Sequence, residues 1–370
     1  MVDILNGVRA VLLTYFSKLL GMSNATLGLV STIYILSASL FQPVFGYLAD
    51  RFGSRWVIVG GVFWMAAFFA LALLLPGPLA LVLLVLASLG SGAYHPAGVK
   101  QTTLIGRSLL AGQETTATSY FFLFGQTGSF LGPILGGPLL DHFGPVGLLV
   151  LALPAIPVSL YANYHLRSAL PDPPSALQNS VSPSATGKLS RLALVAFVLL
   201  AAFQSWAAQN MSTFVPKYLS DLGQSASIYG LITALFLGSY ALGNVAGGML
   251  ADKLGNRRIA FISLFLASAP VYLLPEVGMT LWIYLIAILA GAFIGATQSI
   301  IVVYAQRLVP GGMALATGLI LGFMFSCGAI GTYWSGFMAD WWGFRTVFHL
   351  TGLIALVGGF FALSMKETRD

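Results

Sequence analysis

Apolar segments long enough to cross a bilayer recur along the whole sequence and constrain its fold more than any other feature. A helix needs about 20 predominantly apolar residues to cross the hydrocarbon core. These segments are too long for strands and lack a two-residue alternation, so we predict an all-α membrane protein. The predicted spans are 2–20, 25–47, 56–76, 79–99, 116–139, 145–164, 192–214, 227–250, 259–275, 279–304, 314–338 and 345–364.

The composition excludes an ordinary soluble domain. Only 8% of the 370 residues are charged and 58% are hydrophobic, whereas a soluble domain carries about 25% charged residues. The net charge of +6 does not indicate nucleic-acid binding, because the basic residues lie in short loops between apolar runs. We therefore expect the lipid bilayer as partner and no nucleic acid. The first run has no basic start or cleavage site, so we interpret it as a membrane helix rather than a signal peptide.

The twelve predicted spans fall into two groups of six. Residues 1–164 form the predicted N-terminal six-helix bundle, and residues 191–370 form the C-terminal one. The intervening segment 165–190 is rich in proline and serine and is typical of a flexible linker.

Lysine and arginine are distributed unevenly between the loops. If the N-terminus is cytoplasmic, thirteen of them lie in inside loops and the tail, against Lys18, Lys217 and Arg345 outside. Positive charge concentrates on the cytoplasmic side of membrane proteins. We therefore expect a multi-pass protein of the inner (plasma) membrane with both termini and the linker in the cytoplasm.

A spacing of Gly-x-x-x-Asp-x-x-Gly occurs four times. An odd number of predicted spans separates successive copies, so copies one and three face one side and copies two and four the other. This pattern predicts nested inverted three-helix repeats, an arrangement found in secondary transporters. The copies are Gly46–Asp50–Gly53, Gly137–Asp141–Gly144, Gly248–Asp252–Gly255 and Gly336–Asp340–Gly343.

The first copy, with its continuation to Arg55, resembles the signature loop between helices 2 and 3 of the major facilitator superfamily, and the third copy repeats it. The resemblance covers essentially the whole chain and implies a cofactor-free transporter with twelve helices. We expect it to function as a monomer. Further motifs resemble the fosmidomycin resistance protein branch: Leu40-Phe41-Gln42-Pro43, Tyr94-His95-Pro96 and Tyr304-Ala305-Gln306-x-Leu308-x-Pro310-Gly311.

The resemblance assigns a gating role to the two cytoplasmic copies. Asp50 would meet the start of helix 11 near 311–313, and Asp252 the start of helix 5 near Gln113, where a helix dipole attracts an anion. Alternatively, both aspartates cap local turns. The predicted gating residues are Gly46, Asp50, Arg51, Gly53, Arg55, Gly248, Asp252, Lys253, Gly255 and Arg257.

A second motif, in predicted helix 5, resembles the antiporter motif of the same superfamily. Glycines four residues apart share one helix face and form a flat surface for a neighbouring helix, and the proline adds a bend. A role in exchange rests on the resemblance alone. The motif comprises Gly128, Gly132, Pro133, Gly136 and Gly137.

Polar residues inside membrane spans are costly, so they are candidates for the substrate path. Each could instead form a hydrogen bond between helices. Buried cations for an anionic substrate are scarce, because only Arg9 and His95 qualify, which argues against a phosphonate drug. The path candidates are Asn6, Arg9, Gln42, Gln126, Gln204, Asn244 and Gln298.

A proton carrier must be titratable, buried and reachable from either side in turn. Most acidic residues lie in predicted loops, which leaves Asp3 and Glu114, and His95 joins them because histidine titrates near neutral pH. The alternative for His95 is a neutral side chain that links two helices.

These features favour a secondary transporter, and the resemblance to the fosmidomycin resistance protein branch implies export of a small molecule, drug-like or a metabolite, in exchange for protons. A proton-coupled importer of a sugar or other small metabolite is the alternative. No Walker A pattern and no zinc-protease motif occur, so we expect no enzyme activity and no metal site. An intramembrane hydrolase and a receptor or scaffold are further alternatives, and neither would move protons in response to substrate.

The charge bias makes a topological prediction. A reporter that is active only in the cytoplasm should be active when it is inserted near Ser180 in the linker. Activity of a periplasm-specific reporter at the same site would show that the orientation is reversed.

Overall fold

The computed structural model describes residues 1–109, 114–166, 191–308 and 313–365. Within these ranges the chain forms helices and no strand, so the predicted all-α class is confirmed. The helices are α1 Val2–Leu19, α2 Asn24–Leu40, α3 Gln42–Phe52, α4 Ser54–Leu74, α5 Pro78–Leu109, α6 Glu114–Gly147, α7 Leu149–Ala152, α8 Ala155–His165, α9 Arg191–Asp221, α10 Ala226–Leu254, α11 Asn256–Leu273, α12 Trp282–Gly295, α13 Gln298–Leu308 and α14 Met313–Ala362.

Seven helical segments of the described chain are long and apolar enough to cross a membrane. An eighth is obtained if 120–147 and 149–165, which are bent by 90° relative to each other, count as one. Helix α1 is as long as a span but has three charges, Asp3, Arg9 and Lys18, in its 18 residues. Every predicted span overlaps a helix, and the count of twelve stays a prediction.

Two of the longest helices are interrupted by a motif glycine. Helix α14 has 50 residues, about 75 Å of regular helix, whereas a bilayer core is about 30 Å thick. Gly343 breaks it with φ 78° and ψ 164°, and Gly144 breaks α6 with φ 63° and ψ −163°. Gly53 has φ 91° and ψ 136°, and Gly255 has φ 95° and ψ 139°. The last glycine of each motif copy thus adopts positive φ, which side chains other than glycine rarely tolerate.

The chain divides into two compact units. Unit 1 contains residues 1–22, 33–174 and 219–234, and unit 2 contains residues 23–32, 175–218 and 235–370. Helix α2 therefore begins in unit 2 and continues in unit 1, whereas α10 begins in unit 1 and continues in unit 2. Most of the predicted linker lies outside the described residues.

In unit 1, α1 packs on the glycine-rich face of α6. A Cβ atom at Gly132 would lie 2.6 Å from the backbone nitrogen of Val8, and one at Gly128 would lie 3.1 Å from Asp3 Cβ. On α1, a Cβ atom at Gly7 would lie 2.8 Å from Ser129 Cα. Both helices therefore need glycine at this crossing, as in other close contacts between membrane helices. The neighbour of the antiporter-like motif is α1.

This crossing predicts a strong position dependence of glycine substitutions. Gly132→Leu should lower the melting temperature in detergent or prevent folding, because the side chain meets backbone atoms of α1 that cannot move away; overpacking costs about 1–3 kcal/mol or more. Gly60→Leu is the matched control, since a Cβ atom at Gly60 in α4 meets nothing within 4 Å. Equal melting temperatures for the two variants would contradict the close crossing.

Candidate functional site

A carboxylate and an imidazole meet inside unit 1. His95 Nε2 of α5 lies 3.2 Å from Asp3 Oδ1 of α1. The side chains of His95 and Asp3 retain 27% and 16% of their accessible surface. The pair is therefore shielded but not sealed, as a reversible proton-binding site requires. The structure brings two of the three predicted proton-coupling residues together, and the side chain of the third, Glu114, lies outside the described residues.

The hydrogen bonds of His95 define which atom can hold the proton. Nδ1 lies 2.8 Å from the carbonyl oxygen of Ser91. A carbonyl oxygen can only accept, so Nδ1 donates, and in a neutral imidazole Nε2 is then an acceptor. A carboxylate is also only an acceptor. The contact between Nε2 and Asp3 therefore needs one proton, held as imidazolium with carboxylate or as imidazole with carboxylic acid.

Asn6 connects this pair to the rest of the polar face of α1. Its Nδ2 donates to Ser91 Oγ at 2.9 Å and lies 3.4 Å from Asp3 Oδ1. Tyr34 of α2 donates its hydroxyl to Asn6 Oδ1 at 2.7 Å. The resulting hydrogen-bonded chain runs from His95 and Asp3 through Asn6 to Tyr34.

Aromatic rings border the pair. The imidazole of His95 lies edge-on to Tyr94 and to Phe121 of α6, with ring centroids 5.4 Å and 6.1 Å away. Gly125 of α6 contributes no side chain, and a Cβ atom there would lie 3.1 Å from Asp3 Oδ2. The apolar border lowers the local dielectric and strengthens the electrostatic interaction within the pair.

Arg9 lies on the same helix, three residues beyond Asn6. Its guanidinium carbon lies 4.8 Å from the centroid of the Tyr34 ring, a cation–π contact. Its Nε and Nη1 atoms are buried without a hydrogen-bond partner. Among the described residues Arg9 forms no ion pair. The predicted path residues Asn6 and Arg9 thus share Tyr34, which the sequence analysis did not select.

In unit 2 a second polar cluster joins two other predicted path residues. Gln204 of α9 is fully buried and donates to the Tyr240 hydroxyl and to the carbonyl oxygen of Ile294, both at 3.2 Å. The Tyr240 hydroxyl in turn donates to Gln298 Oε1. Tyr240 therefore bridges Gln204 and Gln298, at the point where α12 ends and α13 begins.

The other predicted path residues are not part of a cluster. Asn244 Oδ1 accepts from the backbone nitrogen of Ser299 at 2.9 Å, which fits a helix–helix hydrogen bond. Gln42 and Gln126 are half-buried. Sequence analysis missed Tyr34, Ser91 and Tyr240 because hydroxyl-bearing residues are common in membrane helices without a functional role. Only their spacing relative to Asn6, His95 and Gln298 could have indicated them.

The residues predicted to form the gating motifs show local contacts. Asp50 Oδ1 accepts from Lys100 Nζ at 2.7 Å. Arg51 donates to the Tyr47 hydroxyl, and Arg55 donates to Asn163 Oδ1 at 2.7 Å. The expected helix partner of Asp50 near 311–313, the expected partner Gln113 and the side chain of Asp252 lie outside the described residues.

The other two motif copies place their aspartates at helix N-termini. Within unit 2, the carboxylate of Asp340 accepts from the backbone nitrogens of Asn24 and Ala25, both at 2.8 Å. Within unit 1, the carboxylate of Asp141 accepts from the backbone nitrogens of Ala226 and Ser227, both at 2.7 Å. Each carboxylate thus caps the first turn of a helix from the other half of the sequence, where the dipole stabilises negative charge.

One further titratable cluster joins a loop residue to α14. Glu276, in the loop between α11 and α12, accepts from Arg345 at 2.7 and 2.8 Å and contacts His349 Nε2 at 2.8 Å. The hydrogen bonds from Arg345, followed by that from His349, hold the pKa of Glu276 below its usual value. This cluster fastens the loop between α11 and α12 to α14.

Comparison with known proteins identifies the family. The family model of the Major Facilitator Superfamily matches residues 4–220 and 192–370. The chain is 26% identical to the fosmidomycin resistance protein of Escherichia coli (strain K12) over 339 residues, 90% of this chain and 82% of the relative. It is 25% identical to the multi-drug resistance efflux pump PmrA of Streptococcus pneumoniae over 358 residues, 92% of this chain and 86% of that protein.

Solved structures show the same fold. The nucleoside transporter NupG superposes with a TM-score of 0.77 at 16% identity and covers 99% of both chains. A bacterial homologue of the lysosomal transporter Spinster superposes with a TM-score of 0.75 at 17% identity, over 98% of this chain and 94% of that chain. The chain therefore belongs to the Major Facilitator Superfamily of membrane-spanning transporters for small molecules and is not an enzyme.

Proposed function

We propose that this protein exports a small molecule, drug-like or a metabolite, in exchange for protons by alternating access. The observation that carries the proposal is the contact between His95 and Asp3, which needs one proton. Loss of that proton leaves a carboxylate facing an imidazole lone pair in a poorly hydrated site, which is unfavourable. The pair is therefore suited to bind a proton on one side of the membrane and release it on the other when its surroundings change.

The direction of transport is inferred from relatives. Two of the similar proteins are named for drug resistance, one for fosmidomycin and one for multi-drug efflux. Export of a foreign or surplus molecule needs energy, and proton entry down its gradient supplies it without a nucleotide site. We accordingly expect lower sensitivity to fosmidomycin or another drug in cells that express the protein.

The architecture we propose has twelve membrane helices in two six-helix bundles, 1–164 and 191–370, joined by the linker 165–190. The break at Gly343 supports it, because it divides the 50-residue α14 into two pieces that are each about as long as a membrane span. The matching backbone angles of Gly53 and Gly255 support the repeat between the halves. In this arrangement the protein functions as a monomer in the inner membrane, with both termini cytoplasmic.

Import of a sugar or other metabolite together with a proton is the second candidate. The cluster of Gln204, Tyr240 and Gln298 favours it, because amide and phenol groups can exchange their mutual hydrogen bonds for hydroxyl groups of a substrate. The two candidates differ in the sign of proton coupling. A proton competes with an exported substrate and assists an imported one.

The proton site is tested in proteoliposomes. Substrate addition should release or take up protons with wild-type protein, and His95→Gln should still bind substrate but lose the pH dependence of its affinity between about pH 5 and 8. Asp3→Asn should have the same effect, because it removes the partner that shares the proton. His142→Gln, at the exposed end of α6, is the control. Unchanged pH dependence in both variants would make the pair structural.

The caps that Asp141 and Asp340 form at helix N-termini are tested by cysteine labelling in a Cys327→Ser background. Asp340→Ala should increase maleimide labelling of Ala25→Cys, and Asp141→Ala that of Ala226→Cys, because the helix starts lose their caps. The increase should be about 2- to 30-fold, since losing an N-terminal cap costs about 0.5–2 kcal/mol. Asp340→Asn should give a labelling rate of Ala25→Cys between those of the Asp340 protein and Asp340→Ala. Identical labelling rates in all proteins would show that these carboxylates do not hold the helix starts.

A further inference from the structure

The guanidinium of Arg9 is the least satisfied charged group among the described residues. Its Nε and Nη1 atoms are buried and have no hydrogen-bond partner. The nearest acidic residue on α1, Asp3, is committed to His95 and Asn6. A buried cation without a counter-ion is strongly unfavourable, and charged residues in membrane spans are almost always paired or functional.

One aromatic ring contacts the guanidinium of Arg9 and leaves its Nε and Nη1 donors unpaired. The guanidinium carbon lies over the Tyr34 ring, 4.8 Å from the ring centroid. This cation–π contact leaves the buried Nε and Nη1 donors without a hydrogen-bond acceptor, so they stay available to a ligand. Two N–H donors side by side match the two oxygens of a carboxylate or a phosphonate.

We propose that Arg9 binds an oxyanion group of the transported substrate, a carboxylate, phosphonate or phosphate. The proposal rests on the assignment as a transporter but not on the direction of transport. The scarcity of buried cations in the sequence argued against an anionic substrate. In the part of the chain that the structure describes, no residue neutralises Arg9, so this cation is available to balance one negative charge of a substrate.

The position of Arg9 also connects the anion to the proton site. Tyr34, which supports the guanidinium, donates its hydroxyl to Asn6, and Asn6 contacts Asp3. Binding of an anion that shifts Arg9 would disturb the stacking on Tyr34 and, through Asn6, the shared proton. Tyr34 is thus a positioning residue for the site rather than its ligand.

The first test needs no ligand. Arg9→Met removes the charge but keeps an unbranched side chain, and it should raise the melting temperature of the purified protein, because an unpaired buried charge is lost. Arg55→Met is the matched control and should lower the melting temperature, since Arg55 is bonded to Asn163 and stacked on Trp56. A lower melting temperature for Arg9→Met would show that Arg9 is structural and overturn the proposal.

The second test measures anion binding by thermal shift with inorganic phosphate, phenylphosphonate and benzoate, and with neutral benzamide as the uncharged match of benzoate. At least one anion should stabilise wild-type protein, benzamide should not, and Arg9→Met should weaken the apparent affinity by about tenfold or more. Arg9→Lys should retain part of the affinity for the anion. No stabilisation by any of the anions, or equal stabilisation of Arg9→Met, would overturn the proposal. Both tests are equilibrium measurements, so their failure is distinct from a failure of proton exchange in liposomes.

Discussion

The bilayer offers no water to polar groups, and the structure depends on how this chain satisfies them internally. On α1 the polar residues Asp3, Asn6 and Arg9 are spaced three apart and share one side of the helix. Asp3 and Asn6 are satisfied by His95, Ser91 and Tyr34. Arg9 is the exception, because within the described residues it forms no ion pair and its Nε and Nη1 atoms have no hydrogen-bond partner.

The glycine face of α6 makes this arrangement possible. At Gly125 and Gly128 the absence of a side chain lets α6 pass within van der Waals distance of Asp3. A larger residue would push α1 away and separate Asp3 from His95. The motif that resembles an antiporter signature therefore acts here as a spacer that lets α1 and α6 approach closely.

Much of the fold could be predicted from the sequence, because apolar length is a strong signal. The helices overlap every predicted span. The polarity of Asp3, Asn6 and Arg9 within an apolar segment already indicated them as candidates, Asp3 for proton coupling and the other two for the substrate path. The partners of these residues could not be predicted. Tyr34, Ser91 and Tyr240 look like ordinary residues of a span, and their roles arise only when helices distant in sequence pack together. The contact predicted between Asp50 and the start of a helix stays a prediction. The same type of contact is present at Asp141 and Asp340, where the sequence analysis assigned no gating role.

The caps formed by Asp141 and Asp340 each include two backbone nitrogens, and hydroxyl groups of Ser225 and Ser227 add to the cap at Asp141. A backbone N–H group is present whatever side chain the residue carries, except in proline. As far as the hydrogen bond itself is concerned, the side chain at a capped position such as Asn24 can therefore change without breaking the contact. Two such contacts would leave no trace of paired substitutions in an alignment, and methods that infer contacts from correlated changes would overlook them.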